Sequence, residues 1–351
     1  MKNAFDITVY GAVGDGRTDC TAAIQKALDD AAAVEGVVIV PPGKYRTGSL
    51  KMGIRTRLEG YSGWNYRADG LSVLILNDPE AKCLIDITGA FGCTISGICL
   101  DGGNLGENIH GIYLYWERYN GGSEEDTPTI DDCRIGRFSG NGVHLEHIWC
   151  FSVRHSMIHN NHGCGLYIDG WDAFILDNWF SGNRYTGILG GPIAESITAS
   201  GNRVEWNRVA GFWLKNGRSV NMTGNFFDRS FGPAIKLGSG GHFHDCAITG
   251  NVFRRSGCSD NMDFATEYES SHVYFDDVKN ITLVGNTFEL GGNDDGPGCG
   301  TQSPDYDIYM ANSSYVVIQS NMMHSGSIKQ SIVYDGKGEN IIKDNLSHHT
   351  K

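Results

Sequence analysis

The sequence predicts an all-β fold, a parallel β-helix solenoid of about ten coils with an N-terminal capping α-helix. Three observations carry that expectation: an excess of glycine, one helical period near the start, and a strand-and-turn repeat of about 23 residues from residue 93 onward. The 351 residues include 48 Gly and only 8 Pro, so the chain turns often and needs many positive-φ or closely packed backbone positions. Many short strands follow from that balance.

Ile24, Ala27, Leu28 and Ala31 repeat at i, i+3, i+4 and i+7 after Asp19, and Gly36 ends the run, so a helix is expected over 19–34 with Asp19 as N-cap. It would cover the open edge of the first coil. Beyond it, apolar-x-apolar runs close on Asn in ITASGN (ending at Asn202), VNMTGN (Asn225), CAITGN (Asn251), ITLVGN (Asn286), VVIQSN (Asn321) and NIIKDN (Asn345). Earlier counterparts end at Cys133, Ser156 and Asn178. Successive spacings are 23, 22, 24, 23, 26, 35, 35 and 24 residues, a base period with two stretched coils, which is the mark of a solenoid.

Each unit holds a second short strand, among them GVHLE (142–146), GLYID (165–169), GFWLK (211–215), PAIKL (233–237) and HVYFD (272–276). Alternation along these strands turns one set of side chains inward, so Ile197, Ala199, Val220, Met222, Ile281 and Leu283 are expected as core. The stacked Asn are expected to bond their counterparts in the next coil and to tolerate the left-handed conformation. The whole chain, 1–351, is read as one domain: a cap segment over 1–50, regular coils over 93–351, and loop insertions at 116–127, 257–271 and 291–305.

The 28 Lys+Arg against 41 Asp+Glu give a net charge of −13, which disfavours a nucleic-acid backbone or an anionic membrane as partner. No stretch approaches a transmembrane helix, and no signal peptide is recognisable, so the chain reads as cytoplasmic as written and as secreted if a signal has been removed. Cys93, Cys99, Cys133 and Cys246 lie in apolar strands and are expected as buried thiols, leaving Cys258 and Cys299 as the pairable ones.

The run YGAVGDGRTDCTAAIQKALDDA (10–31) followed by GVVIVPPGKYRTGSL (36–50) resembles the N-terminal capping segment of the pectate-lyase-like superfamily, which family 28 glycoside hydrolases, related lyases and phage tailspike depolymerases share. That resemblance implies a right-handed β-helix and a carbohydrate substrate. The layout also resembles the inulin fructotransferases. The motifs that family 28 hydrolases carry on successive coils (NTD, DD, GHG, RIK) do not occur here in order, so the reaction stays open.

A β-helix has no natural pocket, so its site is expected on an outer face walled by the insertions. Three residues past each repeat Asn, one column reads His159, Ser181, Glu205, Asp228, Arg254, Glu289 and His324. Two residues into each second strand, another reads Tyr113, His144, Tyr167, Leu189, Trp213, Lys236, Tyr274 and Tyr309, an aromatic stripe of the kind sugar rings stack on. Glu205 and Asp228 stand on consecutive coils, about 4.8 Å apart, a spacing that suits the nucleophile and acid of a retaining glycosidase. The expected catalytic pair is therefore Glu205 and Asp228. Arg254, Arg229 and Lys236 would keep one carboxylate ionised or bind an acidic sugar, Trp206, Trp213, Tyr167 and Tyr274 would stack, and His159 would hydrogen-bond substrate.

For a uronic acid, a base would instead take the C5 proton while a cation neutralises the carboxylate, with Lys236, Arg254 or Tyr274 as candidate bases. No metal is expected among the site residues and no cofactor, although Asp276 with Asp277, or Asp294 with Asp295, has the oxygens Ca²⁺ wants. The histidines at 144, 147, 155, 159 and 162 argue against zinc, since on coils residues three or four apart point to different faces or turns and none repeats an HExxH pattern.

The expected function is cleavage of glycosidic bonds in an oligo- or polysaccharide by paired carboxylates, a glycoside hydrolase. The alternatives are a polysaccharide lyase or fructotransferase-type transfer, and a phage-type glycan-binding spike with little catalysis. The Thr/Ser-rich positions Thr198, Ser200, Asn221, Thr223 and Thr249 form a flat face that suits a side-by-side homotrimer.

Overall fold

The computed structural model describes residues 3–119, 124–257, 266–289 and 303–348, and the side chain of the last of these is left aside. The expected pairing of Cys258 with Cys299, the Asp294–Asp295 pair and the middles of the three insertions lie outside the described residues. The chain divides into two compact units, residues 1–179 and 180–351, each built of short parallel strands. The fold is a right-handed parallel β-helix, as expected.

In the first unit a helix spans Thr21–Ala32 and buries Ile24, Ala27, Leu28 and Ala31, packing against the strands Ala4–Asp6 and Leu50–Lys51. Asp19 caps from one position earlier than expected: Cys20 is the N-cap, and the Thr21 N–H donates to Asp19 Oδ1 at 3.0 Å, so the carboxylate still meets an orphan amide. The coils behind it stack in register. Val38, Leu58, Ile95, Ile130, Val153 and Ile175 form one inward column, each at most 1% exposed.

The second unit repeats the pattern with larger side chains. Val204, Phe227, Phe253, Phe288 and Met323 stand in one buried column, with ring centroids 5.1 Å apart for Phe227–Phe253 and 4.7 Å for Phe253–Phe288. Truncating one of these rings to Ala costs about 3–5 kcal/mol in a core of this kind. Ile197, Ala199, Val220, Met222, Ile281 and Leu283 are buried as expected, and so are the four strand cysteines.

The Asn column forms a continuous ladder. The Asn202 N–H donates to Asn225 Oδ1 at 3.0 Å, and the relay continues through Asn251, Asn286, Asn321 and Asn345 at 2.9–3.0 Å. The left-handed conformation falls on the residue before each Asn: Gly201, Gly224, Gly250 and Gly285 have φ between 64° and 68°, and Ser320 and Asp344 have 56° and 55°. A side chain there is strained, which explains why Gly precedes Asn in most coils.

The two short strands expected per coil are often one. Val143–Arg154, Leu166–Leu176, Ile235–Thr249 and Ser271–Val284 run through the turn without a break. Single left-handed residues and bulges bend them, at Glu146/Ile148 and at Gly238/Phe243. That bending decides which side chains meet outside.

Candidate active site

The expected aromatic stripe exists in the first unit as stacked rings. Tyr113, His144 and Tyr167 are register partners, their ring centroids 5.2 and 4.6 Å apart with 14° between planes, and His110 lies 4.5 Å from His144. The stack covers itself: Tyr113 is buried while His144 and Tyr167 are half-buried. At its edge the exposed Lys82 ammonium sits 4.0 Å above the Tyr113 ring and 5.3 Å from that of Tyr115. Burial works against the Lys82 charge, but the nearby Tyr113 hydroxyl and negative groups hold its pKa above the ordinary value. Burial pushes the Tyr113 hydroxyl up, against the pull of Lys82.

Two residues further along each strand, Tyr115, Glu146 and Asp169 are register partners. On a regular strand His147 would point away from Glu146. The bulge at Glu146/Ile148, with His147 at φ 59°, turns it back to the same side. Gly170 makes room for the bulge, because a Cβ there would meet the Ile148 carbonyl oxygen at 2.0 Å.

The donors around this cluster are directional. His147 Nδ1 lies 2.6 Å from the Trp116 carbonyl oxygen and its Nε2 lies 3.4 Å from Asp169 Oδ2. The Tyr119 hydroxyl donates to Asp169 Oδ1 at 2.7 Å, and His144 Nε2 lies 3.1 Å from Glu146 Oε2. Trp116 is held in turn by its Nε1–H bond to Asp126, 3.0 Å, whose pKa burial raises. The insertion expected at 116–127 thus supplies Trp116, Tyr119 and Asp126.

Burial governs the titration of the cluster. It pushes the Tyr167 hydroxyl up to about 12, with Asp169 adding to the effect, and with the bond to Asp169 it lifts Tyr119 further. It lowers His144 against Glu146 and takes His110 down to about 3. At neutral pH these phenols keep their protons and these two imidazoles are neutral. Such groups exchange or hold protons without carrying fixed charge.

In the second unit Glu205 and Asp228 are register partners, as their spacing implied. They lie beneath the surface, at 4% and 1% exposure, where an open outer column was expected. Arg203 Nε meets Glu205 at 2.7 Å; Asp228 is met by Arg229 at 2.8 Å and by Arg255 at 2.8 and 2.6 Å. The residue that clamps Asp228 is thus Arg255, at φ 45°, while Arg254 lies 3.6 Å from Glu289. Arg229 packs 5.0 Å from the ring of Trp206.

Lys236 is buried, bonded to Glu269 at 2.9 Å, 4.4 Å from the Trp213 ring and 5.4 Å from that of Tyr274. Burial pushes the Tyr274 hydroxyl up to about 12. His159, in the first unit, is buried beside Asn160, and burial takes its pKa down to about 3. Asp276 and Asp277 line a polar groove of about 590 Å³ with His242 and Asn312.

Sequence reasoning reached Tyr113, His144, Tyr167 and the insertion. It passed over Lys82, Tyr119, Glu146 and Asp169, and it argued against zinc at His147 from a spacing that the bulge at Glu146/Ile148 alters. A usable signal was there: HLEH and YID put carboxylates at one register position in neighbouring coils, beside an insertion.

Comparison with known proteins agrees with the fold. The model of the right-handed β-helix region matches residues 84–253 and 141–351, and that of the rhamnogalacturonase A/epimerase, pectate-lyase-like segment matches residues 4–66. Mannuronan C5-epimerase AlgE3 of Azotobacter vinelandii is 28% identical over 195 residues, 49% of this chain and 10% of that protein, so the chain spans about a tenth of that relative's length. The structure of DFA-IIIase from Arthrobacter chlorophenolicus A6, without its lid and in complex with GF2, superposes over 100% of both chains with TM-score 0.70 and 16% identity. The A-module of mannuronan C-5 epimerase AlgE4 of Azotobacter vinelandii does so over 98% of both chains with TM-score 0.56 and 17% identity.

Proposed function

From a chain that belongs to the right-handed β-helix family, we propose a carbohydrate-active enzyme that moves a proton on an acidic sugar of an oligo- or polysaccharide. Elimination and C5 epimerisation share that step. The observation that carries the reading is the exposed Lys82 ammonium 4.0 Å above the Tyr113 ring at the edge of the stack of His144 and Tyr167. The relatives matched in sequence are named mannuronan C5-epimerases, which supports the same class.

In this reading sugar rings lie against the exposed Tyr115 and along the outer edges of the stack, whose ring faces cover one another. The exposed ammonium of Lys82 pairs with the sugar carboxylate, which favours the enolate formed when C5 loses its proton. Tyr113, whose phenolate the same ammonium stabilises, takes that proton. In epimerisation a donor on the other face of the sugar returns a proton to C5; in elimination the C4–O bond breaks, its oxygen takes a proton from a protonated phenol such as Tyr167, and an unsaturated sugar is left.

Hydrolysis by Glu205 and Asp228 is the second reading, favoured by their register pairing on adjacent coils. One experiment separates the two. Oligosaccharides of uronic, fructan and neutral types are incubated in D₂O and followed by mass spectrometry and ultraviolet absorbance. Deuterium at C5, or a new unsaturated product, lost in Lys82→Met and Tyr113→Phe, supports proton transfer. Products heavier in sum by one water per cleavage, lost in Glu205→Gln and Asp228→Asn, support hydrolysis and overturn it. Products summing to the substrate's mass with neither change mean internal transfer, and binding with no turnover means a glycan-binding module.

A further inference from the structure

We propose that Glu146, His147 and Asp169 bind a divalent d-block cation such as Zn²⁺ or Mn²⁺. The site stands apart from the proton-transfer reading and fails or holds separately from it. One ligand atom from each residue falls in a group whose members all lie within 4.8 Å of one another.

The hydrogen-bond pattern supplies the second, independent observation. A carbonyl oxygen only accepts, so the 2.6 Å contact from His147 Nδ1 to the Trp116 carbonyl puts a proton on Nδ1 and makes Nε2 the nitrogen that can take a metal. Nε2 faces Asp169 Oδ2 at 3.4 Å. Either a proton or a metal ion would join the two atoms, and their spacing distinguishes the two. With bonds of about 2.0–2.1 Å, neighbouring ligands of a tetrahedral ion stand roughly 3.3–3.4 Å apart. The observed separation fits a shared ion better than a direct hydrogen bond.

The surrounding bonds have the form of an outer shell that orients ligands. Trp116 fixes the imidazole tautomer, Tyr119 holds Asp169 Oδ1 and so turns Oδ2 toward the imidazole, and His144 holds Glu146 Oε2. Backbone geometry agrees: the bulge with His147 at φ 59° is what brings adjacent residues 146 and 147 to one side.

Donor chemistry selects the metal. One imidazole nitrogen and two carboxylates suit Zn²⁺, Mn²⁺ or Co²⁺, whereas Ca²⁺ takes six to eight oxygens. The Glu146 side chain is 31% exposed and Asp169 only 2%, so one side of the ion would face outward, where it can take water or a sugar oxygen. A cation there would polarise a sugar carboxylate or hydroxyl brought in by the neighbouring stack.

The test uses the full chain, stripped with chelator and titrated with Zn²⁺, Mn²⁺ and Ca²⁺ by calorimetry. The expected result is one Zn²⁺ or Mn²⁺ per chain, weakened at least tenfold by His147→Gln and by Asp169→Asn, with Ca²⁺ binding far more weakly. Because Asp169 is buried, the half-exposed Glu146→Gln serves as a variant whose fold is checked by melting. The wild type gives a variant-free measurement, since Zn²⁺ should shift the Nε2 resonance of one ¹⁵N-labelled imidazole while leaving its Nδ1 protonated. Absence of Zn²⁺ and Mn²⁺ binding, binding unchanged in all three variants, or an imidazolium–carboxylate pair that Zn²⁺ does not perturb would overturn the proposal.

Discussion

Two carboxylate pairs stand in the same relation in different parts of the chain: Glu146 opposite Asp169 in the first unit, Glu205 opposite Asp228 in the second. Both come from parallel strands of adjacent coils, which set like charges about 4.8 Å apart. What differs is the source of the compensating charge. Around Glu205 and Asp228 the chain supplies it, from Arg203, Arg229 and Arg255. Around Glu146 and Asp169 the imidazole of His144 and the phenol of Tyr119 supply hydrogen bonds. A pair neutralised by guanidinium holds coils together. One met by neutral donors leaves room for a cation or a proton from outside.

The largest expected effect breaks the first kind of pair. Arg255→Ala removes two of the charge-assisted bonds of the buried Asp228 carboxylate, leaving it Arg229, and should destabilise the chain by about 3 kcal/mol, read by denaturant unfolding. Glu146→Gln should change stability by under about 1 kcal/mol, because that side chain is half-exposed and keeps an acceptor for His144. Equal losses in the two variants would mean that the pairs play the same part.

Activity should divide the other way. Lys82→Met and Tyr113→Phe should each lower turnover of an acidic sugar by about 10²–10⁴-fold, the usual worth of an acid–base group, while leaving the melting temperature nearly unchanged. A smaller, mixed effect is expected of Gly170→Ala. Its Cβ would press on the Ile148 carbonyl oxygen at 2.0 Å, so the bulge must shift, at about 1–3 kcal/mol, and Zn²⁺ affinity should fall with it.

The pH profile sharpens the comparison. Tyr113 is faced by Lys82, Glu146 and Cys83, and its ring stacks on His110 and His144. Its hydroxyl lies above the ordinary phenol value because burial outweighs Lys82, so activity that needs the phenolate should rise toward alkaline pH. Removing the ammonium in Lys82→Met should move that limb to still higher pH. A limb that stays in place would show that another group titrates.

Asp307 offers a third treatment of a carboxyl, burial without a cation. It accepts from Ser327 at 2.9 Å, and burial raises its pKa to about 7. A folded-state value above the unfolded one means that the folded state binds the proton more tightly. Its stabilising contribution is present in full below about pH 4 and is lost as pH rises toward 7. Asp307→Asn should flatten that slope, seen as a melting temperature that depends less on pH.

Much of the fold was legible because it is local and repeated. The apolar alternation, the Asn at each coil end and the small residue before it recur often enough to fix period, inward face and register, and the 19–34 period marks the cap. The site was less legible. Tyr113, His144 and Tyr167 follow from alternation alone, and register alone puts Glu205 beside Asp228 and Glu146 beside Asp169. Whether a carboxylate is clamped or open depends on Arg255 and His147, both left-handed residues whose side chains leave the period-two pattern.

The sequence by itself determined the solenoid, its capped end, its inward columns and the carboxylates that share a rung. Tertiary structure alone decided that Asp228 is sealed by Arg255, that Tyr119 reaches Asp169, and that a bulge turns His147 onto the face of Glu146. Strand periodicity is a property of the backbone between neighbouring residues, so it is written locally. The direction of a side chain at a bulge, and the charge that meets it, depend on coils more than twenty residues away in sequence.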